Sequence, residues 1–415
     1  MSSTPTAKPA AQLATKSTAT STEEDTSKRH PPSELRALST LAGAYFVLGV
    51  GSLSVVGLVV PMARELAVSP GTIAFLVTVF ALTYALAAPL AQVFFGQRDR
   101  SVLLVCGLLG MAAGLLVCAV STSYFEVSVG RTLMAFGAAF VGPMTSASAA
   151  AIVPAHRRGS ALAIAFAGLT LSTVAGVPLS NWLGDSVGWR WVLVGIAVVT
   201  LVQAGLARAF VPSTSAPNAV NLKSIADILS DKLLAPTLAV TFFQIAGQFC
   251  TYSLIGLYLA EVFNVPVATV ALALFIYGFG GIFGNIIAAR MTDRLGYDRM
   301  IWISLIGLFI VMSLIPLLPK TTLVAVVAMF VWSTMGLMLF APQQTRLVTL
   351  DAPRSNLLLA LNSSAVYLGM AGGAAVSGLA YEAAGPAWLP IFSLVLVASS
   401  ITMFWLSRRT ELAKG

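Results

Sequence analysis

This chain of 415 residues is 57% hydrophobic and 10% charged, and its mean hydropathy is +0.88. Soluble domains are about 45–50% apolar and about 25% charged, so this composition excludes an ordinary soluble domain and indicates a membrane protein. The formal net charge of +8 would also suit a nucleic-acid-binding protein, but the positions of the basic residues favour a different explanation.

Long apolar runs alternate with short polar breaks from residue 37 onward. A helix needs about 20 apolar residues to cross a bilayer, and only helices and closed barrels satisfy the backbone in lipid. Because the runs are continuous and do not alternate residue by residue, we predict helices. The predicted spans are 38–60, 73–93, 101–121, 127–151, 160–183, 190–211, 235–259, 268–290, 299–318, 322–344, 357–380 and 387–407.

Changes in composition divide the chain into five parts. Residues 1–36 are rich in Ser, Thr, Ala and Pro and hold no apolar core of a signal peptide, which predicts a disordered cytoplasmic tail. Residues 37–211 and 235–407 each contain six spans, joined by a central cytoplasmic loop at 212–234. Residues 408–415 form a C-terminal cytoplasmic tail. The predicted fold is an all-α membrane protein with 12 transmembrane helices in two pseudo-symmetric halves.

Arg131 lies near the start of the fourth predicted span. A charge inside a span costs about 2.5–3.5 kcal/mol on insertion scales, so such residues usually face a water-filled cavity or a partner. Arg131 either lines a central cavity or snorkels to the outer interface. No Asp or Glu lies near the middle of any span, and Arg cannot deprotonate. Glu126, five residues before Arg131, is the acidic residue nearest to it in the sequence.

The sequence also predicts a bend inside one span and a charged turn after another. Gly176-Val177-Pro178 in the fifth span removes one backbone hydrogen bond and predicts a bend. Asp293, Arg294 and Gly296 follow the eighth span. Charges at this helix end either pair with neighbouring helix ends in one state and release them in the other, or form a plain solvated turn.

Polar and aromatic side chains inside the spans are candidates for substrate contact. Gln244, Gln248 and Tyr252 are spaced four apart, so they share one face of the seventh span. Amides and phenols inside a membrane need hydrogen-bond partners, which either a substrate cavity or neighbouring helices would supply. The same two interpretations apply to the remaining candidates, which are Tyr45, Tyr84, Asn285, Asn362 and Tyr367.

The three cysteines and two histidines predict no chemical site. Cys106, Cys118 and Cys250 lie in apolar stretches, and their odd number and spacing indicate neither a disulfide framework nor a metal site. His30 and His156 lie outside the apolar runs. The sequence also has no Gly-x-x-x-x-Gly-Lys phosphate loop, so we expect no metal, no cofactor and no enzyme activity.

Basic residues predict the orientation in the membrane. With the N-terminus in the cytoplasm, the opposite side holds only Arg64, Arg190 and Lys320, and every other Lys or Arg except Arg131 falls on the cytoplasmic side. This asymmetry follows the positive-inside rule and predicts an even number of spans with both termini cytoplasmic. It explains the net charge, so we expect the lipid bilayer as partner and no nucleic acid.

Two six-helix halves joined by a longer loop resemble the plan of the major facilitator superfamily over roughly residues 37–407. Residues 289–296 resemble the family's Gly-x-x-x-Asp-Arg-x-Gly turn, with Ala289 in place of the first Gly. The corresponding turn after the second span, at residues 92–100, departs from the motif, because Gly96 occupies the position of its acidic residue.

Further motifs resemble those of bacterial proton-coupled drug exporters. Arg131, followed by Gly137, resembles an Arg-x-x-x-Gly motif in which Ala135 stands where the first Gly would be, and Gly176-Val177-Pro178 resembles the Gly-Pro antiporter motif. Gly188-Trp189-Arg190 is similar to the family's start of helix six. Residues 248–252, 284–285 and 362–364 look like the subgroup that exports sugars, purine nucleosides or chloramphenicol.

The resemblance implies an exporter that works by alternating access, as a monomer, with the proton gradient as its energy source. It implies that Arg131 lines the cavity and helps to couple protons, and that the bend at Gly176 and Pro178 seals the cavity against leak. Proton coupling needs a group that titrates, and because no Asp or Glu lies mid-span, Glu126 is the best candidate for the proton carrier by elimination. The leading hypothesis is therefore a bacterial inner-membrane antiporter exporting small neutral or weakly anionic molecules. The alternative is an uptake carrier or facilitator for a small organic anion, with Arg131 as the counter-charge.

Overall fold

The computed structural model describes residues 32–95, 98–154, 157–214 and 222–414, and most of these residues are helical. The first half contains α1 (Pro32–Glu65), α2 (Pro70–Phe95), α3 (Arg100–Val120), α4 (Tyr124–Ile152), α5 (Arg158–Leu171), α6 (Val177–Ser186) and α7 (Trp189–Phe210). The short α8 (Leu222–Ser230) follows. The second half contains α9 (Leu234–Tyr252), α10 (Ile255–Val262), α11 (Val267–Leu295), α12 (Tyr297–Leu314), α13 (Thr322–Leu337), α14 (Phe340–Leu350), α15 (Ser355–Ala384) and α16 (Leu389–Lys414).

Among the described residues, eleven helices are long and apolar enough to cross a membrane. A twelfth span is counted when Ser224–Ser230 and Leu234–Tyr252, which meet at an angle of 82°, are taken together. Several spans are interrupted. A π-helical turn, Ser172–Gly176, joins α5 to α6 within the fifth span, and α13 and α14 together form the tenth span.

The helices extend beyond the apolar runs that predicted them. The first helix begins at Pro32, inside the predicted 1–36 tail, because proline suits the first helical position, where its missing N–H costs nothing. Residues 1–31 lie outside the described residues. The tenth span continues past residue 344 to Leu350, and α16 runs through the predicted 408–415 tail to Lys414. Hydropathy marks the part of a helix within hydrocarbon, whereas backbone hydrogen bonding continues into the interface.

The central loop contains a helix that packs against the second half. In α8, Ile228 is fully buried against Leu234, Leu238, Leu347 and Leu358, while Leu229 on the other side is exposed. One apolar anchor beside exposed residues is the pattern of a short helix lying on the membrane-facing surface of a larger body.

Small residues allow close approach of α3 and α4. A Cβ atom added to Gly137 would lie 2.4 Å from the backbone nitrogen of Met111 and 2.6 Å from the carbonyl oxygen of Gly107. A Cβ atom on Gly114 would lie 2.4 Å from the backbone nitrogen of Met134. Only glycine permits these backbone contacts, which hold helices together in lipid where no hydrophobic force acts between them.

The two halves meet at one end of the bundle. Because each span reverses direction, the connections after the odd-numbered spans lie at the end opposite the chain termini, here called the far end. Contacts between the halves join α2 to α15, α6 and the π-helical turn to α11, and α1 to α10. Thr78 donates a 3.0 Å hydrogen bond to the carbonyl of Ala371, and Ser69 donates to Glu382 at the far end. These contacts run from the middle of the bundle to its far end.

Candidate functional site

Aromatic side chains from both halves converge at the middle of the bundle. Tyr84 and Tyr367 lie with ring centroids 3.8 Å apart, and Tyr45 stacks on Phe166 at 5.0 Å. The Tyr45 hydroxyl donates a 3.1 Å hydrogen bond to the carbonyl of Gly142. A Cβ atom on Gly142 would meet the hydroxyl of Tyr84, so glycine at this position lets both phenols approach α4. The structure thus brings the candidates Tyr45 and Tyr84 together.

Arg131 is 2% exposed and binds the backbone of two neighbouring spans. Its guanidinium donates to the carbonyls of Gly51 at 3.0 Å, Ser52 at 2.9 Å and Leu76 at 3.3 Å. The guanidinium carbon lies 4.6 Å from the ring centre of Phe80. Arg131 therefore joins α4 to α1 and α2. Its positive charge is stabilised by the partially negative carbonyl oxygens and by a ring face, and not by a carboxylate.

Glu126 caps the start of α4. Its carboxylate accepts from the backbone nitrogens of Thr122 at 2.6 Å and Ser123 at 3.3 Å, while the Ser123 side chain accepts from the Glu126 nitrogen. This reciprocal pair is a capping box. The side chain is exposed, and its hydrogen bonds go to the helix start.

The polar face of α9 points into the second half. Gln244 donates a 2.7 Å bond to the carbonyl of Gly336 in α13, and Gln248 accepts a 3.3 Å bond from Tyr277 in α11. Tyr252 stacks on Tyr277 at 4.7 Å, and Trp332 meets both rings edge-on. All three candidates on this face are buried between helices of one half.

A cluster of polar side chains fills the junction of α9, α14 and α15. Thr241 donates a 2.6 Å hydrogen bond to Oδ1 of Asn362. Gln343 donates through Nε2 to the carbonyl of Thr237 at 2.6 Å and to Oγ1 of Thr241 at 3.2 Å. With Gln244, these residues line a narrow pocket, here called the amide pocket, whose remaining walls are Leu339 and Phe340. Asn285, by contrast, is half-buried on α11 and does not line this pocket.

The bend of the fifth span lies where the two halves touch. A Cβ atom on Gly278 of α11 would lie 2.5 Å from Cα of Val174 in the π-helical turn. A Cβ atom on Gly176 would lie 2.6 Å from Val50 of α1, and Pro178 is buried. The π-helical turn before Pro178 accommodates the interrupted hydrogen-bonding ladder. The predicted bend therefore packs against α1 on one side and against the second half on the other.

The turn after α11 is a single residue. Gly296 ends α11 and starts α12 with φ of +82°, a left-handed value that glycine adopts without strain. Arg294 is exposed in the last turn of α11. The backbone of Asp293 belongs to this helix, but its side chain lies outside the described residues, as does Gly96 of the corresponding turn in the first half.

The second half contains a buried guanidinium that the sequence placed in a loop. Arg346 is 0% exposed and donates to Ser407 at 2.9 Å and to Glu411 at 3.0 Å. Its Nε lies 3.6 Å from Asp298, which also pairs with Arg408. These charges tie the ends of α12, α14 and α16 together.

Several residues of these sites were missed in the sequence. Gln343 and Arg346 follow the tenth apolar run, so they were interpreted as a span end and a loop. Trp332, Tyr277 and Phe166 belong to uniformly apolar runs, in which no spacing separates a site residue from packing. The sequence holds one indication of this pocket. Gln244 and Gln343 are two amides in spans of the same half, and such side chains can lie at one helix junction.

Comparison with known proteins places this arrangement in a family. The model of the Major Facilitator Superfamily matches residues 41–357 and 238–415. The inner membrane transport protein YdhP of Escherichia coli is 26% identical over 379 residues, which cover 90% of this chain and 96% of that protein. A chloramphenicol resistance protein of Streptomyces lividans is 30% identical over 263 residues, which cover 62% of this chain and 67% of that protein.

Solved structures show the same fold. A bacterial homologue of the human lysosomal transporter Spinster, in an inward-facing and unoccupied conformation, aligns with a TM-score of 0.72 at 14% identity. The alignment covers 93% of this chain and 99% of that chain. A mutant of the nucleoside transporter NupG aligns with a TM-score of 0.67 at 13% identity, covering 91% and 99%. The predicted fold class is confirmed, and the fold is one of transporters. The chain belongs to the major facilitator superfamily of membrane transporters.

Proposed function

We propose that this protein exports small neutral or weakly anionic organic molecules from a bacterial cell in exchange for protons. It acts as a monomer in the cytoplasmic membrane, with both termini in the cytoplasm. The proposed substrate class rests on the kinds of side chain that lie in the middle of the bundle. Phenols, amides and ring faces occupy this region, whereas each described Asp or Glu lies in a connection, in α8 or within one turn of a helix end.

The distribution of acidic groups decides between substrates of different charge. A cationic substrate inside a membrane needs a carboxylate to offset its desolvation, and the described middle of the bundle supplies none. Arg131 is the one described cation there, and its three nitrogens already bind carbonyl oxygens. We therefore favour uncharged substrates over the organic anion that a free guanidinium would hold.

Two further observations support export by proton exchange. The chloramphenicol resistance protein among the relatives points to a drug-like substrate. Arg131, Gly176 and Pro178 resemble antiporter motifs, and the last two lie in the bend that meets the second half. The placement of basic residues supports cytoplasmic termini.

The test is proton flux in inverted membrane vesicles that hold a proton gradient, followed with a pH-sensitive dye. The panel contains chloramphenicol, a purine nucleoside, a sugar, a small organic acid and a lipophilic cation. We expect proton release on addition of a neutral compound, and none in vesicles without the protein. The Gly205→Ala variant, whose added Cβ would meet no atom within 4 Å, serves as the matched active control. A response to the lipophilic cation alone would contradict the proposed substrate class, and substrate flux without proton movement would contradict antiport.

A further inference from the structure

Two buried oxygen atoms in the amide pocket accept no hydrogen bond. They are Oε1 of Gln244 and Oε1 of Gln343, on side chains that are 0% and 1% exposed. A buried acceptor without a partner costs about 1–3 kcal/mol, so a folded protein rarely leaves two of them on one small pocket. Packing alone therefore does not explain why both unpaired oxygens lie in this pocket.

The orientation of both amides follows from their other bonds. Nε2 of Gln244 donates to the carbonyl of Gly336, and Nε2 of Gln343 donates to the carbonyl of Thr237. Rotating either amide by 180° would place its oxygen against a carbonyl oxygen and would leave its NH2 group unpaired. Both side chains must therefore turn their oxygens away from these backbone carbonyls.

Oδ1 of Asn362 and the hydroxyl of Thr241 are already paired with other groups of the pocket. Thr241 donates to Oδ1 of Asn362 and accepts from Gln343. The two free acceptors are thus held in place by a network of neutral groups. They lie on α9 and on α14, so a single bound molecule that reached both would join two spans.

We propose that the amide pocket binds the hydrogen-bond donors of the transported molecule, with Oε1 of Gln244 and Oε1 of Gln343 each accepting from a hydroxyl or N–H group. This inference rests on the proposed function and narrows its substrate class to neutral molecules with at least two donors. Carboxylate and phosphate groups are rejected, because the negative ends of two amide dipoles would face them. Substrates that lack donors leave both oxygens unpaired and lose affinity, as in other sites built around hydrogen bonds.

The surrounding helix supplies a way to widen the pocket. Leu339 and Phe340 lie at the break between α13 and α14, within the tenth span. Phe340 is half-buried, and it forms the side of the pocket that contains no polar group. The pocket is too narrow for a water molecule in this structure, so binding requires α14 to move at this break. Such a movement carries Gln343 with it and leaves the bond of Gln244 to α13 intact.

The test compares adenosine with 2′,3′-dideoxyadenosine, which lacks two hydroxyl donors, by equilibrium binding to the purified full-length protein in lipid nanodiscs. Wild type is expected to bind adenosine more tightly, by about five- to tenfold for each donor that an oxygen receives. Gln343→Met and Gln244→Met should each reduce this preference by that factor. Gln203→Met is the matched control. Gln203 is a buried amide of α7 in the first half, away from the amide pocket of the second half, and it donates to the carbonyl of Thr40. This variant should keep the wild-type preference.

Each result has a distinct meaning. Equal affinity of wild type for both nucleosides, together with unchanged affinity for adenosine in folded Gln343→Met and Gln244→Met, overturns the donor subsite, because 2′,3′-dideoxyadenosine keeps its 5′-hydroxyl and its amino group as donors. Full wild-type preference in folded Gln343→Met and Gln244→Met overturns it as well. If wild type binds neither nucleoside, nor chloramphenicol, nor a sugar, the proposed substrate class itself is wrong. Melting temperatures of all variants in nanodiscs separate loss of recognition from loss of folding.

Discussion

Tyr84 and Tyr367 face each other across the boundary between the two halves, with ring centroids 3.8 Å apart and ring planes at 31°. Tyr84 belongs to α2 and Tyr367 to α15, the helices that also meet at Thr78 and Ala371 nearer the far end. A transporter that alternates access must separate these rings when the far end opens. The contact therefore belongs to the region that closes the far end.

A cross-link between α2 and α15 should stop transport. The variant carries Thr78→Cys and Ala371→Cys in a chain whose three native cysteines are replaced by Ala. Because Thr78 lies within hydrogen-bond distance of Ala371, a short bifunctional thiol reagent should join them and hold the far end closed. We expect loss of substrate flux on cross-linking with a cleavable reagent and recovery on reduction. Unchanged flux in a fully cross-linked sample would show that this contact does not open during transport.

Replacement of Arg131 should destabilise the first half. Arg131→Met removes hydrogen bonds to three carbonyls and a stacked ring, and bonds to charged groups contribute about 1.5–3 kcal/mol each. We expect the free energy of unfolding to fall by about 2 kcal/mol or more, with a lower melting temperature in detergent. Arg131→Lys should recover part of this loss, because it retains the charge with fewer donors. A wild-type melting temperature combined with lost proton release would instead assign Arg131 to coupling.

The close approach of α3 and α4 predicts a sharp difference between two glycines. Gly137→Ala would force a Cβ atom against the backbone of Met111, and overpacking of this kind costs about 1–3 kcal/mol. Gly195→Ala on α7 adds a Cβ that meets no atom within 4 Å, so it should be neutral or stabilising by up to about 1 kcal/mol. Thermal unfolding of the two variants in the same detergent makes the comparison. Equal melting temperatures would mean that α3 and α4 separate without cost.

The contact between the bend of the fifth span and α11 predicts a change of conformation. Gly278→Ala would push its Cβ against Val174 in the other half and should weaken closure at the far end. We expect faster labelling of a single cysteine at Thr78→Cys by a water-soluble maleimide added from the far side. Gly256→Ala is the control, since its Cβ would make only an ordinary 3.8 Å contact with Val270. Slower or unchanged labelling in Gly278→Ala would argue against a role of this contact in closure.

Glu126→Gln distinguishes a cap from a proton carrier. Glutamine preserves the capping box, so the helix start should remain intact and the melting temperature should not change. If the carboxylate only caps α4, proton release in inverted vesicles should stay within about twofold of wild type, because a neutral amide accepts the same bonds. Complete loss of proton release in a folded Glu126→Gln variant would identify Glu126 as the proton carrier.

The sequence by itself determined the number and type of the spans, because crossing hydrocarbon requires long apolar helices whatever their neighbours are. It also indicated an irregularity near Pro178, where the structure has a π-helical turn at Ser172–Gly176, since proline breaks the ladder locally. Only the tertiary structure decided what each polar group meets. Arg131 binds carbonyls of two other spans, Arg346 is buried beyond the last apolar residue of its run, and Gln343 of α14 bonds Thr237 and Thr241 of α9. Such partners are separated by tens to hundreds of residues, and hydropathy records what a side chain is, whereas a site depends on which helices pack together.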